Sequence, residues 1–159
     1  ICQNHLKAGI KILQLRSKKI IESSYIEKIY RLCQSYDSQF ILNVPNKTFM
    51  EPCDGWHLTS DELLTIEDRP CSQNKLLGAS VHNIEEAKLA ETILTDYLTL
   101  APIEKTPSHP NAIILGWEMA EHIIDKSNLP IYLLGGMTKD SLYKALNIKA
   151  QGIAGISQI

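Results

Sequence analysis

Residues 76–100 read LLGASVHNIEEAKLAETILTDYLTL, and this stretch decides the fold class. It opens on LLGAS, a short apolar run with both faces hydrophobic, as a buried parallel strand requires. Asn83, with Glu86 three residues on, marks a helix start. Ile84, Ala87, Ala90 and Leu94 then fall on one apolar stripe at helical spacing. YLTL at 97–100 returns to a second short apolar run. Strand, helix and strand in so short a span make a βαβ unit, whose strands run parallel.

The same alternation continues in both directions. Apolar runs begin at Ile10 (IKILQL), Phe40 (FILN), Gly55 (GWHL), Ile131 (IYLL) and Gly152 (GIAGI). Between them lie helix signals. Ser24-x-x-Glu27 reads as a capping box before Ile26, Ile29, Tyr30 and Cys33, and Thr59-x-x-Glu62 reads as another, with Leu58 and Leu63 placed as a hydrophobic staple. Trp117, Ala120, Ile123 and Ile124 make a further stripe, and Thr138 is expected to start a last helix before Leu142, Ala145 and Leu146. Residues 2–9 read as the tail of a helix entering the first strand.

Seven strands suit an open doubly wound sheet or most of an eight-stranded barrel. No G-x-G-x-x-G follows the first strand, which weighs against the dinucleotide-binding sheet. Polar residues at the ends of several strands favour the barrel, whose active site gathers at that rim. The expectation is one α/β domain over 1–159, a (β/α)8 TIM barrel lacking its first strand and its last helix. A first residue of Ile1 fits a fragment of a longer protein.

Composition narrows the function. Hydrophobic residues make up 44% and charged residues 21%, unlike a disordered chain. The net charge of −2, from 16 basic and 18 acidic side chains, supplies no basic excess for a nucleic-acid partner. No apolar run approaches the roughly 18 residues that cross a bilayer, so no membrane partner is expected. Cys2, Cys33, Cys53 and Cys71 form no C-x-x-C pair and read as small core residues in a reducing cytoplasm.

Several stretches carry candidate chemistry. In the first strand, period two places Gln14, Arg16 and Lys18 on one side and Leu13 and Leu15 on the other. Two cations and an amide suit a multiply charged anion, while a solvated edge-strand face is the plainer alternative. Gly135-Gly136 follows a strand, and GIAGIS at 152–157 repeats small residues at the next strand end. Such glycines allow backbone N–H groups to approach a phosphate, or simply make a turn. The longest loop, 101–115, holds Thr106, Ser108 and His109, either as ligand contacts or as surface. His57 and His82 each sit at a strand end, as core or as site. Glu118, Glu121 and His122 share a helix without metal-ligand spacing and read as its solvated face.

Taken in order, QLRSK at 14–18, LN at 42–43, DGWHL at 54–58, GASVH at 78–82, the stretch 96–110, LLGGM at 133–137 and GIAGIS at 152–157 resemble the thiamine phosphate synthase/TenI family. HLTS at 57–60 and SHPNAIILGWE at 108–118 look most like the variant fused behind a Nudix hydrolase, so a fused Nudix partner is expected. The resemblance implies a transferase that joins hydroxymethylpyrimidine diphosphate to thiazole phosphate, releasing diphosphate and giving thiamine phosphate. It implies Mg2+ as cofactor, small phosphorylated pyrimidine and thiazole ligands, and a homodimer.

The family's site positions carry over by motif. Gln14, Arg16 and Lys18 match the diphosphate and pyrimidine side, and Asn43 and Ser80 match pyrimidine or diphosphate positions. Thr106 and Ser108 match the thiazole-phosphate loop, and Gly135, Gly136 and Ser157 match the phosphate cradle. Arg16, Lys18 and His109 are the candidate catalytic residues. There are departures. Val44 stands where synthases carry a metal-binding aspartate, and Glu62 aligns with the second metal aspartate but has a capping job of its own. His109 stands where synthases have a lysine. TenI-type tautomerases carry a catalytic histidine at the position of Pro102. The alternatives are thus a TenI-like thiazole phosphate isomerase, or a non-catalytic phosphate-binding barrel serving the attached Nudix enzyme.

Overall fold

A computed structural model describes residues 2–45, 47–106 and 111–155. The apolar runs become strands and the capped stripes become helices. In chain order these are α1 (Cys2–Lys7), β1 (Ile12–Arg16), α2 (Ser23–Gln34), β2 (Gln39–Asn43), β3 (Gly55–Leu58), α3 (Ser60–Leu63) and β4 (Leu76–Val81). They continue as α4 (Ile84–Thr92), β5 (Tyr97–Leu100), α5 (Gly116–Lys126), β6 (Ile131–Leu133), α6 (Ser141–Asn147) and β7 (Gly152–Ile153). The chain divides into two units, Ile1–His57 with Pro70–Leu77, and Leu58–Arg69 with Gly78–Ile159.

In the first unit β1 pairs parallel with β2, from Ile12 opposite Gln39 to Arg16 opposite Asn43, and β2 pairs parallel with β3. Phe40, Ile41 and Leu42 are fully buried, and α2 turns Ile26, Ile29 and Cys33 inward. Each such aliphatic burial contributes roughly 1.5–3 kcal/mol. Asp54 ties these layers together, its Oδ2 accepting from Phe40 N at 2.8 Å and Gln34 Nε2 at 3.1 Å. Gly55 has no room for a side chain, since a Cβ there would lie 2.3 Å from Leu76 O. β1 differs from its neighbours: Ile12, Gln14 and Arg16 are exposed, and Leu13 and Leu15 are half-buried.

The second unit holds β4 from Gly78 with β5, β6 and β7, again parallel and in chain order. Ala79, Val81, Leu98, Leu100 and Leu133 have no exposed surface, and Ile131 almost none. The helices meet this layer through alanines, Ala87 and Ala90 on α4, Ala120 on α5 and Ala145 on α6, which permit close approach. Arg69 Nη2 pairs with Asp96 Oδ2 at 2.8 Å, and its Nη1 donates to Leu94 O.

Three local expectations are corrected. Ser24 is no N-cap: α2 starts at Ser23 behind Glu22, whose carbonyl accepts from Tyr25 N and Ile26 N, and Glu27 pairs with Arg31 instead. Leu94 lies past the end of α4 with φ +59° and is exposed, because the helix closes at Thr92 before that stripe is complete. The last helix starts at Ser141, not Thr138, and Leu142 and Leu146 are largely exposed while Ala145 alone on that helix is buried. The Thr59 box, by contrast, is complete in both directions, with Leu58 and Leu63 buried beside it. Cys33 and Cys53 are buried as expected, which pushes their thiols up to about 11 and about 12, whereas Cys2 and Cys71 are partly exposed. Among the described residues no helix is long and apolar enough to cross a membrane.

Candidate active site

The first unit builds a polar row at its strand ends. Arg16 is opposite Asn43 in the β1–β2 register. Leu42 is opposite Trp56, and Asn43 and His57 are the next residues of their strands, on the face opposite that pair. Residues in register on parallel strands share a face, so Arg16, Asn43 and His57 point the same way. Gln14 lies on that face one step lower, opposite Ile41. Asn43 is 4% exposed and His57 1%, while Arg16 and Gln14 are open to solvent. Among the described residues neither Arg16 nor Lys18 makes an ion pair.

Lys18 lies beyond the strand. Ser17 Oγ accepts from Lys19 N at 3.0 Å and donates to Lys19 O at 2.8 Å, a turn that ends the period-two alternation at Arg16. His57 is held neutral: burial, then the charges of Lys47 and Arg16, lower its pKa to about 3. Lys47 is a residue that sequence reasoning missed. It sits in a loop without a motif, beside Thr48, whose N and Oγ1 both donate to Glu51 Oε1 at 2.9 Å. Trp56 Nε1 donates to the other oxygen of Glu51 at 3.0 Å, which anchors this loop to β3.

The second unit places Ser80 opposite Thr99, Thr99 opposite Tyr132, and Tyr132 opposite Gly152. Thr99 Oγ1 donates to Ser80 Oγ at 3.4 Å, and Tyr97 meets Tyr132 edge to face at 6.0 Å. Burial pushes the Tyr97 phenol up, so it stays protonated. Thr99 was also missed, although the alternation in YLTL marks Tyr97 and Thr99 as one face and Leu98 and Leu100 as the other.

Gly135 and Gly136 have φ of +96° and +73°, a conformation that favours glycine. A Cβ on Gly135 would lie 2.9 Å from Pro102, and one on Gly136 2.7 Å from Glu104 Cβ and 2.9 Å from Lys105 O. Ile103 N and Glu104 N donate to the carbonyls of Leu134 and Gly135, each at 3.0 Å. The two glycines thus let the loop after β6 lie directly against residues 102–105, with half-buried Thr106 next in the chain. Ser108, His109 and Ser157 lie outside the described residues.

Carboxylates near these strand ends are occupied. Glu62 Oε2 accepts from Thr59 N at 2.8 Å and Thr59 Oγ1 at 3.1 Å. Glu86 Oε2 accepts from Ser60 Oγ, His82 N and, at 3.1 Å, faces His82 Nδ1. His82 is exposed and is no core histidine. The side chain of Val44, buried, offers no ligand atom. Among the described residues no group of three or more His, Cys, Asp or Glu side chains is arranged to hold a metal ion. The donors at the positions where the resemblance expects Mg2+ ligands therefore do not fit that ion.

Comparison with known proteins gives the same picture along the whole chain. The thiamine monophosphate synthase family matches residues 1–159. A putative thiamine-phosphate synthase 2 of Aquifex aeolicus is 32% identical, over 96% of this chain and 84% of the relative. A thiamine-phosphate synthase of Fusobacterium nucleatum is 30% identical, over 99% of this chain and 79% of the relative. The solved thiamine phosphate pyrophosphorylase of Pyrococcus furiosus superposes with a TM-score of 0.77 at 25% identity, covering 98% of this chain and 77% of that one. That likeness, with the parallel strands in chain order and helices between them, makes the fold α/β and TIM-barrel-like. The chain belongs to the thiamine monophosphate synthase family.

Proposed function

We propose that this chain joins hydroxymethylpyrimidine diphosphate to a thiazole phosphate, forming thiamine phosphate and releasing diphosphate. The observation that carries this reading is the strand-end row of Arg16, Asn43 and His57, with Arg16 making no ion pair among the described residues. A guanidinium exposed beside a buried amide is suited to grip an anion while the amide reads a polar ring. When the carbon–oxygen bond to diphosphate breaks, charge builds on the leaving group, and Arg16 and Lys18 stabilise it. The thiazole nitrogen then bonds to the pyrimidine methylene. His57, neutral and buried, is a polar member of this row and not a further cation. Thr106 with the Gly136 N–H binds the thiazole phosphate.

The residues at the positions expected for Mg2+ do not suit that ion: the Val44 side chain has no oxygen, and Thr59 engages Glu62. The same loss of carboxylates supports a second reading, a barrel that binds phosphorylated ligands without turning them over. An isomerase reading is less well supported, since Pro102 has no acid–base group. Incubating the protein with both phosphorylated precursors and Mg2+, and measuring thiamine phosphate by chromatography, tests the proposal. Product is expected; ligand binding with no product at high protein concentration would establish the second reading instead.

A further inference from the structure

Glu104 lies two residues before Thr106 and against Gly136, where an anionic side chain would oppose a phosphate. It is held by a neighbour that is far along the chain. Trp117 Nε1, at the start of α5, donates to Glu104 Oε1 at 2.7 Å. Lys144, from α6, places its Nζ 4.3 Å from the centre of the same indole ring. The backbone bonds the same loop to α5: Leu115 N donates to Pro102 O at 2.9 Å, and Gly116 N to Ile103 O at 3.1 Å. Lys105, next in the chain, is exposed and makes no ion pair among the described residues. The loop therefore carries an acid that is tied by an indole N–H and a cation with no ion pair among the described residues.

We propose that Trp117 is a positioning residue for the phosphate-bearing substrate: its indole N–H holds the Glu104 carboxylate aside, so that Lys105, Thr106 and the Gly136 N–H present a net positive surface to the anion. Lys144 over the ring face strengthens this, because a cation there polarises the indole and makes its N–H a better donor. The inference rests on the phosphate subsite of the proposed function and names what governs its charge. Removing the N–H releases a carboxylate beside a bound phosphate, and removing that carboxylate as well restores the balance.

The test compares the wild-type chain with Trp117→Phe and with Trp117→Phe/Glu104→Gln. Phe keeps an aromatic ring under Lys144 but has no donor. In steady-state synthesis of thiamine phosphate, Trp117→Phe should raise KM for thiazole phosphate about threefold to fivefold, the size of one exposed charge interaction. The kcat and the KM for the pyrimidine diphosphate should stay within about twofold. The double variant should return KM for thiazole phosphate to the wild-type value, and raised salt should shrink the difference. An unchanged KM in Trp117→Phe, or a raised KM that Glu104→Gln fails to restore, would overturn the proposal. Calorimetric titration of the same three proteins with thiazole phosphate reads the subsite without chemistry. The same order of affinities with no product anywhere would support the role of Trp117 and defeat the synthase reading; no binding by the wild type would defeat both.

Discussion

The two units treat charge at their strand ends in opposite ways. In the first, Arg16 and Lys18 have no ion-pair partner among the described residues, and the row beside them holds a buried amide and a neutral histidine. In the second, Glu62, Glu86 and Glu104 follow β3, β4 and β5, and each is engaged by a nearby donor. Each unit thus leaves its own strand ends open to an anion, the first with cations that have no ion pair among the described residues and the second with acids that are occupied. They differ in cost. An unpaired exposed cation contributes little to stability, whereas a capped carboxylate stabilises the helix or loop that it closes.

The sharpest way to break that comparison is to remove the cation. Arg16→Ala should lower the rate of thiamine phosphate formation about 10²–10³-fold while changing stability by no more than about 0.5 kcal/mol. Steady-state kinetics and urea unfolding of the same preparation check both halves, and a matching loss of stability would make Arg16 structural.

The next effect comes from His57. Its folded pKa of about 3 lies below the ordinary histidine value near 6.5, so the unfolded chain binds the extra proton across that interval. Stability is then full above about pH 6.5 and falls as the pH drops toward 3, by a few kcal/mol in all. Urea midpoints measured from pH 7 to pH 4 should show this slope, and His57→Gln should flatten it. An unchanged slope in the variant would assign the acid sensitivity elsewhere.

Smaller effects belong to the second unit. Thr59→Ala removes one half of a complete capping box and should cost about 1 kcal/mol in thermal or urea unfolding. An undiminished midpoint would show that Glu62 is not held by this cap. Glu91 gives the smallest effect. The Asn128 backbone N–H at 2.7 Å, outweighing some burial, and the Ser127 hydroxyl hold its carboxyl below the usual range. Its contribution is present above the ordinary carboxylate pKa and is lost as the pH falls through the lowered value. Glu91→Gln should therefore lower stability by several tenths of a kcal/mol at pH 7 and converge with wild type in acid.

How far these features were legible depends on how local they are. GWHL and YLTL coincide with β3 and β5 residue for residue, because a strand buried on both faces needs an uninterrupted apolar run. The Thr59 box was legible for the same reason, since its partners lie three residues apart. Ser24-x-x-Glu27 has the same pattern and is not a cap: Glu22 already occupies the turn before it, and Arg31 takes Glu27 one helical turn on. Period two in QLRSK correctly paired Gln14 with Arg16 but overran at Lys18, where the Ser17 hydroxyl turns the chain.

The amino-acid sequence by itself determined where the strands and most helices lie, that paired strands run parallel, and which family the chain resembles. Each of these rests on patterns that repeat within a few residues, where backbone geometry and burial act directly on the side chains. Only the tertiary structure decided which charges are free. Trp117 reaches Glu104 across 13 residues, Glu91 reaches Asn128 across 37, and Lys47 acts on His57 from a loop with no motif. Those pairings arise when strand register and loop packing bring distant residues together, and a charge acts through distance in space, not separation along the chain.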